Sequence, residues 1–255
     1  EYTTDSSGNR IYIVDAASGA LLWYAGGPDA AGTPDLELPN MTHSIPGRVV
    51  VLDTNGDQYA DRLYAGDMGG RVWRFDLWNG RSRASFGTGG AIATLGAGDT
   101  GATAIESNRR FYSAPDVALI QRRGADPYYN LAIGSGYRGH PLHAQTRDRF
   151  YSLRDKNPFG AMTQEQYDAL TPATDARLVD ISDDPVATPV PTTAAGWKLE
   201  LRLNGGWTGE KVLAEATTVG GTILFTTYQP EERADADPCQ PTNGINRAYA
   251  LRVDS

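Results

Sequence analysis

A five-residue pattern that occurs four times along the chain limits its fold more than any other feature. Each copy has arginine first, an aromatic residue third and Val, Leu or Phe fifth; the copies are Arg10–Val14, Arg71–Phe75, Arg149–Leu153 and Arg247–Leu251. Alternation of period two with aromatic and β-branched residues is typical of β-strands. The pattern therefore predicts an all-β chain made of repeated strands.

Each of the last three copies follows two further segments that we also predict to be strands. The nearer ones are Arg62–Gly66, Asn130–Gly134 and Thr222–Thr226, and the more distant ones are Arg48–Leu52, Asp116–Ile120 and Val212–Thr218. After the first two copies the chain turns at Asp15–Gly19 and Trp78–Gly80 and then resumes. Three to four antiparallel strands per copy, repeated radially, favour a β-propeller. A β-sandwich with coincidental aromatic spacing is the alternative.

The uneven spacing of the copies indicates long loop insertions in a partial or modified propeller. The insertions are predicted at 26–47, 80–111, 154–196 and 229–245, each rich in Gly, Pro, Ala or Asp. Inside the third insertion, Thr163 and Gln166 predict a capping box that begins a short helix ending near Leu170. We expect this to be the only helix.

Length and charge limit the classes of function. The 255 residues suit one large all-β domain or two small ones, and we interpret residues 1–255 as a single propeller domain. Because the chain begins at Glu1 without a leader or an initiator Met, we expect it to be an excised or processed part of a longer protein. A net charge of −8 argues against nucleic acid as a partner, and no apolar run approaches the length of a membrane span.

The segment Asp53–Asp61 has the spacing of a calcium-binding loop. Side-chain oxygens fall at positions 1, 3, 5 and 9, which are Asp53, Asn55, Asp57 and Asp61, and position 7 is Tyr59, which can offer its backbone carbonyl. An EF-hand loop surrounds calcium with oxygen ligands at this spacing. Three carboxylates within nine residues would repel one another without a cation. We therefore predict one calcium ion here.

This loop departs from the EF-hand pattern in two places. Gly56 stands at position 4 instead of position 6, so we expect the loop to turn differently, and position 12 is Tyr64 where an EF-hand has a bidentate glutamate. Both departures fit a loop that joins two strands. The alternative without a metal is an Asx-rich turn in which the side chains bond their own backbone. Magnesium is disfavoured because it demands stricter octahedral geometry.

The remaining polar motifs predict no catalytic residues and no organic cofactor. His140 and His143 lie three apart without a nearby carboxylate or thiol, which favours a structural or solvent-facing pair over zinc. Cys239, the single cysteine, is interpreted as a free or buried thiol, or one whose partner lies outside this chain. The basic stretch Asn108–Phe111 is expected to pair with nearby acids. No nucleophile elbow or phosphate-binding loop occurs.

Several phrases carry a family resemblance that runs over most of the chain. They are the loop 53–61 followed by Arg62–Asp67 and Val72–Leu77, then Arg110–Val117, Gly134–Leu142, and Leu224–Tyr228 leading into Arg247–Leu251. In these phrases the chain resembles the C-terminal β-propeller domain of the PilY family, called PilC in neisserial species. These are type IV pilus tip and biogenesis proteins.

The resemblance implies a non-enzymatic protein of the cell surface, at the pilus tip or outer membrane. It implies roles in pilus assembly, in the balance of extension and retraction that drives twitching motility, and in adhesion. The implied partners are pilus subunits such as minor pilins, the assembly machinery, and a surface or host receptor. The family's calcium site carries over onto Asp53, Asn55, Asp57, Tyr59 and Asp61. Because family propellers are larger than this chain, the resemblance also implies that the chain is the C-terminal part of a larger propeller. An integrin-type Arg-Gly-Asp does not occur, because Ala125 interrupts Arg123–Asp126.

An enzyme is the alternative function. The segment 11–23 also resembles a blade of quinoprotein dehydrogenases, which hold a quinone and a calcium on the propeller axis and often have a vicinal disulfide. The present chain has one cysteine and places its acidic cluster in a hairpin loop. Since a blade's shape does not determine its function, we favour the non-enzymatic interpretation.

Overall fold

The structure is a computed structural model that describes residues 4, 5, 7–27, 32–96, 105–231 and 244–254. Within these residues it has nineteen strands and one short α-helix, α1 (Gln164–Asp168). In chain order the strands are β1 (Arg10–Val14), β2 (Leu21–Gly26), β3 (Leu36–Glu37), β4 (Val50–Leu52), β5 (Arg62–Gly66), β6 (Arg71–Leu77), β7 (Gly87–Thr94), β8 (Asp116–Ile120), β9 (Tyr128–Gly134), β10 (Arg149–Asp155), β11 (Ala173–Thr174), β12 (Val179–Asp180), β13 (Gly196–Glu200), β14 (Arg202–Leu203), β15 (Gly206–Trp207), β16 (Lys211–Val212), β17 (Thr217–Val219), β18 (Thr222–Gln229) and β19 (Ile245–Arg252).

Four main sheets follow one another along the chain. The first has the order β1-β2-β3, the second β4-β5-β6-β7 with β11 added to β7, and the third β8-β9-β10-β13 with β12 added to β13. In the fourth, β18 pairs with β19 on one side and with β16 and β17 on the other. The principal pairings are antiparallel; β3, β11 and β12 add in parallel. β14 and β15 form a separate hairpin. The predicted all-β class is confirmed.

Strand positions agree with the sequence pattern in most places, but the short strands β3, β11 and β12 lie within segments predicted as loop, and two further positions differ. All four arginine-aromatic segments lie in strands, namely β1, β6, β10 and β19. The prediction of loop throughout 80–111 was wrong, because β7 lies there as the fourth strand of its sheet. The predicted strand Val212–Thr218 is interrupted between β16 and β17.

Small residues explain why β7 was missed. It has the sequence GTGGAIAT, which lacks the aromatic and β-branched side chains that mark a strand. The glycines are required by packing: a β-carbon on Gly87 would lie 2.4 Å from the Trp23 ring and one on Gly89 would lie 2.5 Å from Phe75. The large side chains that fill the core at β7 therefore come from neighbouring strands.

Three apolar clusters join each sheet to the next one. Trp23 of the first sheet packs with Trp73 and Phe75 of the second, and the Trp23 and Phe75 rings meet edge to face at 6.5 Å between centroids. A second cluster joins the second and third sheets and a third cluster joins the third and fourth. In the last of these the rings of Phe150 and Phe225 stack at 3.7 Å. The sheets therefore pack face to face in chain order.

Alternate side chains of the arginine-aromatic strands pack against different neighbouring sheets. In β10, Phe150 belongs to the cluster shared with the fourth sheet, whereas Tyr151 and Leu153 belong to the cluster shared with the second. Successive side chains of a strand point to opposite faces, so each middle sheet buries both of its faces. The first and fourth sheets each have one uncovered face among the described residues. Tyr12 is 53% exposed on one of these and Leu224 is 45% exposed on the other.

A repeated backbone hydrogen bond links consecutive sheets at one end. The Ile45, Phe111 and Val212 amides, each from the segment that enters a sheet, donate to carbonyls of the preceding sheet at 2.9, 3.1 and 2.9 Å; the acceptors are Gly8, Asp67 and Ser135 respectively. The same geometric relation therefore recurs at three successive sheet junctions.

The predicted helix is present as α1. The Thr163 hydroxyl accepts from the Gln166 amide, and the Gln166 side chain accepts from the Thr163 amide, so both halves of the capping box form. Three short 3-10 turns, at Arg83–Ser85, Ile105–Ser107 and Asp175–Arg177, were not predicted. Within the described ranges, no helix has the length and apolarity needed to cross a membrane.

Candidate metal centre

The predicted calcium loop joins β4 to β5 at the exposed end of the second sheet. The Asp61 amide donates to the Leu52 carbonyl at 2.8 Å and closes the base of the loop. The side chain of Asn79, from the connection after β6, donates to the Ala60 carbonyl and to the Asp61 carboxylate. The sheet thus holds both ends of the loop, while Asn55 to Tyr59 lie in solvent.

Short hydrogen bonds to backbone amides organise the oxygen side chains of the loop. The Asp53 carboxylate accepts from the amides of Gly56 at 2.6 Å and Gln58 at 2.8 Å. Asn55 Oδ1 accepts from the Asp57 amide, and Asp57 Oδ1 accepts from the Tyr59 amide. The amides of Gln58 and then Gly56 lower the pKa of Asp53, which keeps it ionised.

Asp61 is held differently from the other loop acids. Its Oδ2 accepts from both the amide and the hydroxyl of Thr54 at 2.8 Å, and its Oδ1 accepts from Asn79 at 3.3 Å. Both oxygens therefore have protein donors. In the described part of the chain, no three His, Cys, Asp or Glu side chains are grouped so as to hold a metal ion. The assignment of Asp53, Asn55, Asp57, Tyr59 and Asp61 as ligands stays a prediction.

The backbone of the loop turns at two left-handed residues. Gly56 has φ +83° and Gln58 has φ +74°. Gln58 is at position 6, where an EF-hand loop uses glycine for its sharp turn. Gln58 takes the left-handed conformation at this position without being glycine, and Gly56 adds a second left-handed turn at position 4. Elsewhere in the described chain the only other non-glycine residue with positive φ is Asn204.

The donor set fits a hard cation. Its side chains and the Tyr59 carbonyl offer oxygen atoms alone, as calcium prefers, and the loop is exposed enough to admit an ion. The carboxylates would have to exchange part of their hydrogen bonding to loop amides for coordination. Asp53 and Asp61 would each give up the most, because three donors now occupy the oxygens of each.

Sequence reasoning missed a buried ionic network beside this loop. The guanidinium groups of Arg62 and Arg74 both donate to Asp76, at 2.7 and 2.8 Å, and Arg74 also donates to Asp155 at 2.9 Å. Tyr64 donates to the same Asp155, and burial followed by this carboxylate raises the pKa of the Tyr64 hydroxyl. The signal in the sequence was Arg74 between two core aromatics, since a buried charge must have a partner.

The network fastens the third insertion to the second sheet. Arg62 and Arg74 donate to the backbone carbonyls of Asn157 and Gly160, and Arg62 also donates to that of Pro158. The Tyr167 hydroxyl of α1 donates to Asp76 at 2.7 Å. Every contact is internal and satisfied, so the network is structural.

The weaker polar motifs have no metal geometry. His140 is exposed and His143 half-buried, and both rings lie against Tyr137, at 5.5 and 5.7 Å between centroids. Arg109 lies 4.0 Å from Asp175, in keeping with the expected pairing of the basic stretch with acids. Cys239 lies outside the described residues.

Comparison with known proteins gives a consistent set of matches. The chain is 25% identical, over 273 aligned residues that cover all of it, to a protein of Xylella fastidiosa named type IV pilus biogenesis factor PilY1 homolog. It is also 25% identical over 285 residues, 98% of the chain, to type IV pilus biogenesis factor PilY1 of Pseudomonas aeruginosa. The resemblance to the PilY family is confirmed. The chain spans 17% and 23% of the lengths of these two relatives.

The fold comparison agrees with this PilY resemblance. The crystal structure of the Pseudomonas aeruginosa PilY1 C-terminal domain matches 95% of the chain with a TM-score of 0.64 at 19% identity, and the match covers 52% of that domain. At this identity the likeness establishes the fold alone. No protein-family model matches the chain.

Proposed function

We propose that this chain is a non-enzymatic, calcium-binding module of a type IV pilus tip and biogenesis protein. One observation carries the proposal: relatives named type IV pilus biogenesis factors align with 98% to 100% of the chain. The module would act at the cell surface, on the pilus tip or outer membrane. Its partners would be pilus subunits, among them minor pilins, or the assembly machinery, with a surface or host receptor engaged during adhesion.

We further propose that the four sheets are blades of one β-propeller domain spanning residues 1–255. Each sheet packs its front on the back of the next, and the same backbone hydrogen bond recurs at the three junctions. Such front-to-back packing has no natural end until it closes into a ring. Since the matched PilY1 domain is about twice as long as the segment it shares with this chain, we place the four sheets within a larger propeller.

Calcium would be held by the side chains of Asp53, Asn55, Asp57 and Asp61 and by the Tyr59 carbonyl. The ion would supply positive charge that neutralises three carboxylates and crosslinks the loop. The chain contributes the two left-handed turns and the anchoring of Asp61 to the sheet, which keep the loop compact. We propose that the bound loop favours pilus extension and the free loop permits retraction.

Calorimetric titration of the chelated domain with calcium tests the site. We expect one ion per chain and a melting temperature that rises with calcium, because an ion that binds the folded state alone stabilises it by about 2.7 kcal/mol at 100 times its Kd. Asp57→Ala should abolish most of this rise. Asp15→Ala is the matched control, since Asp15 also caps an exposed Asx turn, bonding the Ser18 amide at 2.7 Å.

The result would contradict the calcium proposal if wild type and Asp57→Ala melted alike with and without calcium. The pilus role is tested separately, in cells that express the full-length protein with or without Asp57→Ala. Deletion of the whole gene should remove surface pili. The point variant should reduce their number in the presence of calcium and leave secretion of the protein unchanged.

A further inference from the structure

A cavity with a volume of about 780 Å³ lies far along the chain from the loop 53–61. It opens between the β8–β9 hairpin, the end of β10 and the segment 190–193 of the third insertion. Its walls are mixed, with apolar surface from Ile120, Tyr128 and Val190 beside charged and hydroxyl side chains. A volume of this size suits a small organic ligand.

Two cations line one wall of this cavity. Arg154 and Lys156 lie two residues apart at the end of β10, so their side chains share a side, opposite to that of Asp155 in the buried network. Arg154 donates to the Pro191 carbonyl at 2.6 Å, and Lys156 donates to the Thr193 carbonyl at 2.7 Å. These contacts hold both cationic groups in place at the cavity wall.

Neither cation has an acidic partner in the part of the chain that the structure describes. No carboxylate oxygen lies within the 4.0 Å of an ion pair from Arg154 or Lys156, and the buried Nε of Arg154 has no hydrogen-bond partner there. The Arg154 guanidinium lies 5.2 Å from the centre of the Tyr128 ring, which further fixes its plane.

The acidic residues that line the cavity do not neutralise Arg154 and Lys156. Asp254 pairs with Arg122 on the facing wall, and the hydrogen bond from Arg122 lowers the pKa of Asp254. Asp126 is exposed in the β8–β9 hairpin, with no ion pair found among the described side chains. The wall formed by Arg154 and Lys156 therefore keeps its positive charge.

We propose that this cavity binds a small organic carboxylate, held by the Arg154 guanidinium and the Lys156 ammonium. Arg154 retains donors for a carboxylate after its bond to Pro191, and Lys156 retains two of its three protons. The threonines at 192 and 193 and the Tyr128 ring edge are placed to contact the rest of such a ligand. The carboxylate comes from an acidic sugar or from an acidic amino-acid side chain, which share this chemistry.

Titration calorimetry of the 255-residue domain at low ionic strength tests the proposal with four probes. D-glucuronate is compared with its neutral amide, D-glucuronamide, and N-acetylaspartate, blocked at its α-carboxyl as the methylamide, is compared with N-acetylasparagine blocked in the same way. We expect at least one acid to bind about tenfold or more tightly than its amide, as loss of a charge-assisted hydrogen bond implies. Preference for glucuronate or for N-acetylaspartate then identifies the source. Equal binding of the acids and their amides, or no binding by any probe, would overturn the proposal of a carboxylate site.

Variants locate the bound carboxylate. Lys156→Gln and Arg154→Gln keep a donor for the neighbouring carbonyl but lose the charge, and each should weaken acid binding about tenfold. Lys156→Arg should retain binding. Arg177→Gln is the matched control, because Arg177 is an exposed cation outside the cavity. If Arg177→Gln weakened binding as much as Lys156→Gln, the effect would be one of overall charge and the site would be rejected.

Discussion

Gln58 is one of two left-handed residues in the loop 53–61, and its conformation is one that residues other than glycine rarely adopt. Its φ of +74° lies in the left-handed region, and its amide donates to Asp53 at 2.8 Å. Left-handed backbone costs an L-residue roughly 1 to 2 kcal/mol. The hydrogen bond from the Gln58 amide is one of the contacts that hold this turn in place.

Gln58→Gly should therefore make the calcium-free domain more stable. Relief of the left-handed conformation outweighs the extra chain entropy of glycine, which is roughly 0.5 to 1 kcal/mol, so we expect a gain of up to about 1 kcal/mol. Urea unfolding of the chelated protein measures it. Gln164→Gly, in the first turn of α1, is the contrasting substitution and should destabilise. A loss of stability in Gln58→Gly would contradict the assigned strain.

Asp148 is a second residue whose surroundings have a measurable consequence. It is 1% exposed, its Oδ1 accepts from the Ser135 hydroxyl at 2.8 Å, and burial raises its pKa to about 6. A carboxyl whose pKa is raised on folding stabilises the folded state fully below its ordinary pKa of 3.8, and it loses that contribution as the pH rises through its folded pKa of about 6.

Asp148→Asn should remove this pH dependence. The wild-type free energy of unfolding should fall relative to that of the variant by roughly 2 kcal/mol between pH 4 and pH 6, since each pKa unit corresponds to about 1.4 kcal/mol and part of the titration lies outside this range. Denaturant unfolding at several pH values gives the difference. Parallel curves for the two proteins over this range would show that Asp148 ionises normally.

At the scale of elements, the buried network joins the second sheet to the third insertion. It contains two cations and two anions, with Arg74 and Asp76 fully buried. Removing one member leaves an uncompensated charge in the core, whereas removing a matched pair does not. The attachment of residues 157–168 to the sheet therefore depends on charge balance.

Arg74→Leu should destabilise the domain by about 3 to 5 kcal/mol, because Asp76 and Asp155 lose a shared partner. Adding Asp155→Leu should cost less than the sum of the two single changes. Thermal unfolding of the three variants supplies the cycle. Strictly additive costs would mean that the two charges do not interact, contrary to the contacts.

The sequence predicted the strands that carry strong alternation, and the reason is visible in the sheets. The arginine-aromatic segments place residues of opposite faces in two different apolar clusters. Their alternating pattern therefore arises from packing on both neighbouring sheets. β7 was not predicted because it consists mostly of small residues, which leave room for the rings of Trp23 and Phe75. The ionic network was not predicted because its members, such as Arg74 and Asp155, are 81 residues apart in sequence.

At the scale of the whole molecule, the uncovered faces of the first and fourth sheets bear on whether the four sheets belong to a larger propeller. Middle sheets bury both faces, yet the fourth sheet exposes the face of Leu224 and Ala248. Leu224 pairs with Ala250, the fourth residue of its arginine-aromatic strand, and Ala132 pairs with Ser152, the fourth residue of the one before. Leu224 and Ala132 are thus equivalent positions, one 45% exposed and the other fully buried by the next sheet.

This equivalence tests whether the four sheets belong to a larger propeller. In the 255-residue chain, Leu224→Lys should change stability by no more than about 0.5 kcal/mol, as an exposed substitution does. In the full-length protein the proposed next sheet would cover position 224, and the same change should then cost about 3 kcal/mol or more for burying an unpaired charge. Ala132→Lys, the control, should be severe in both. Denaturant unfolding followed by near-ultraviolet circular dichroism reports both contexts. A small effect of Leu224→Lys in both would leave the face of the fourth sheet open in the whole protein and would refute the larger ring.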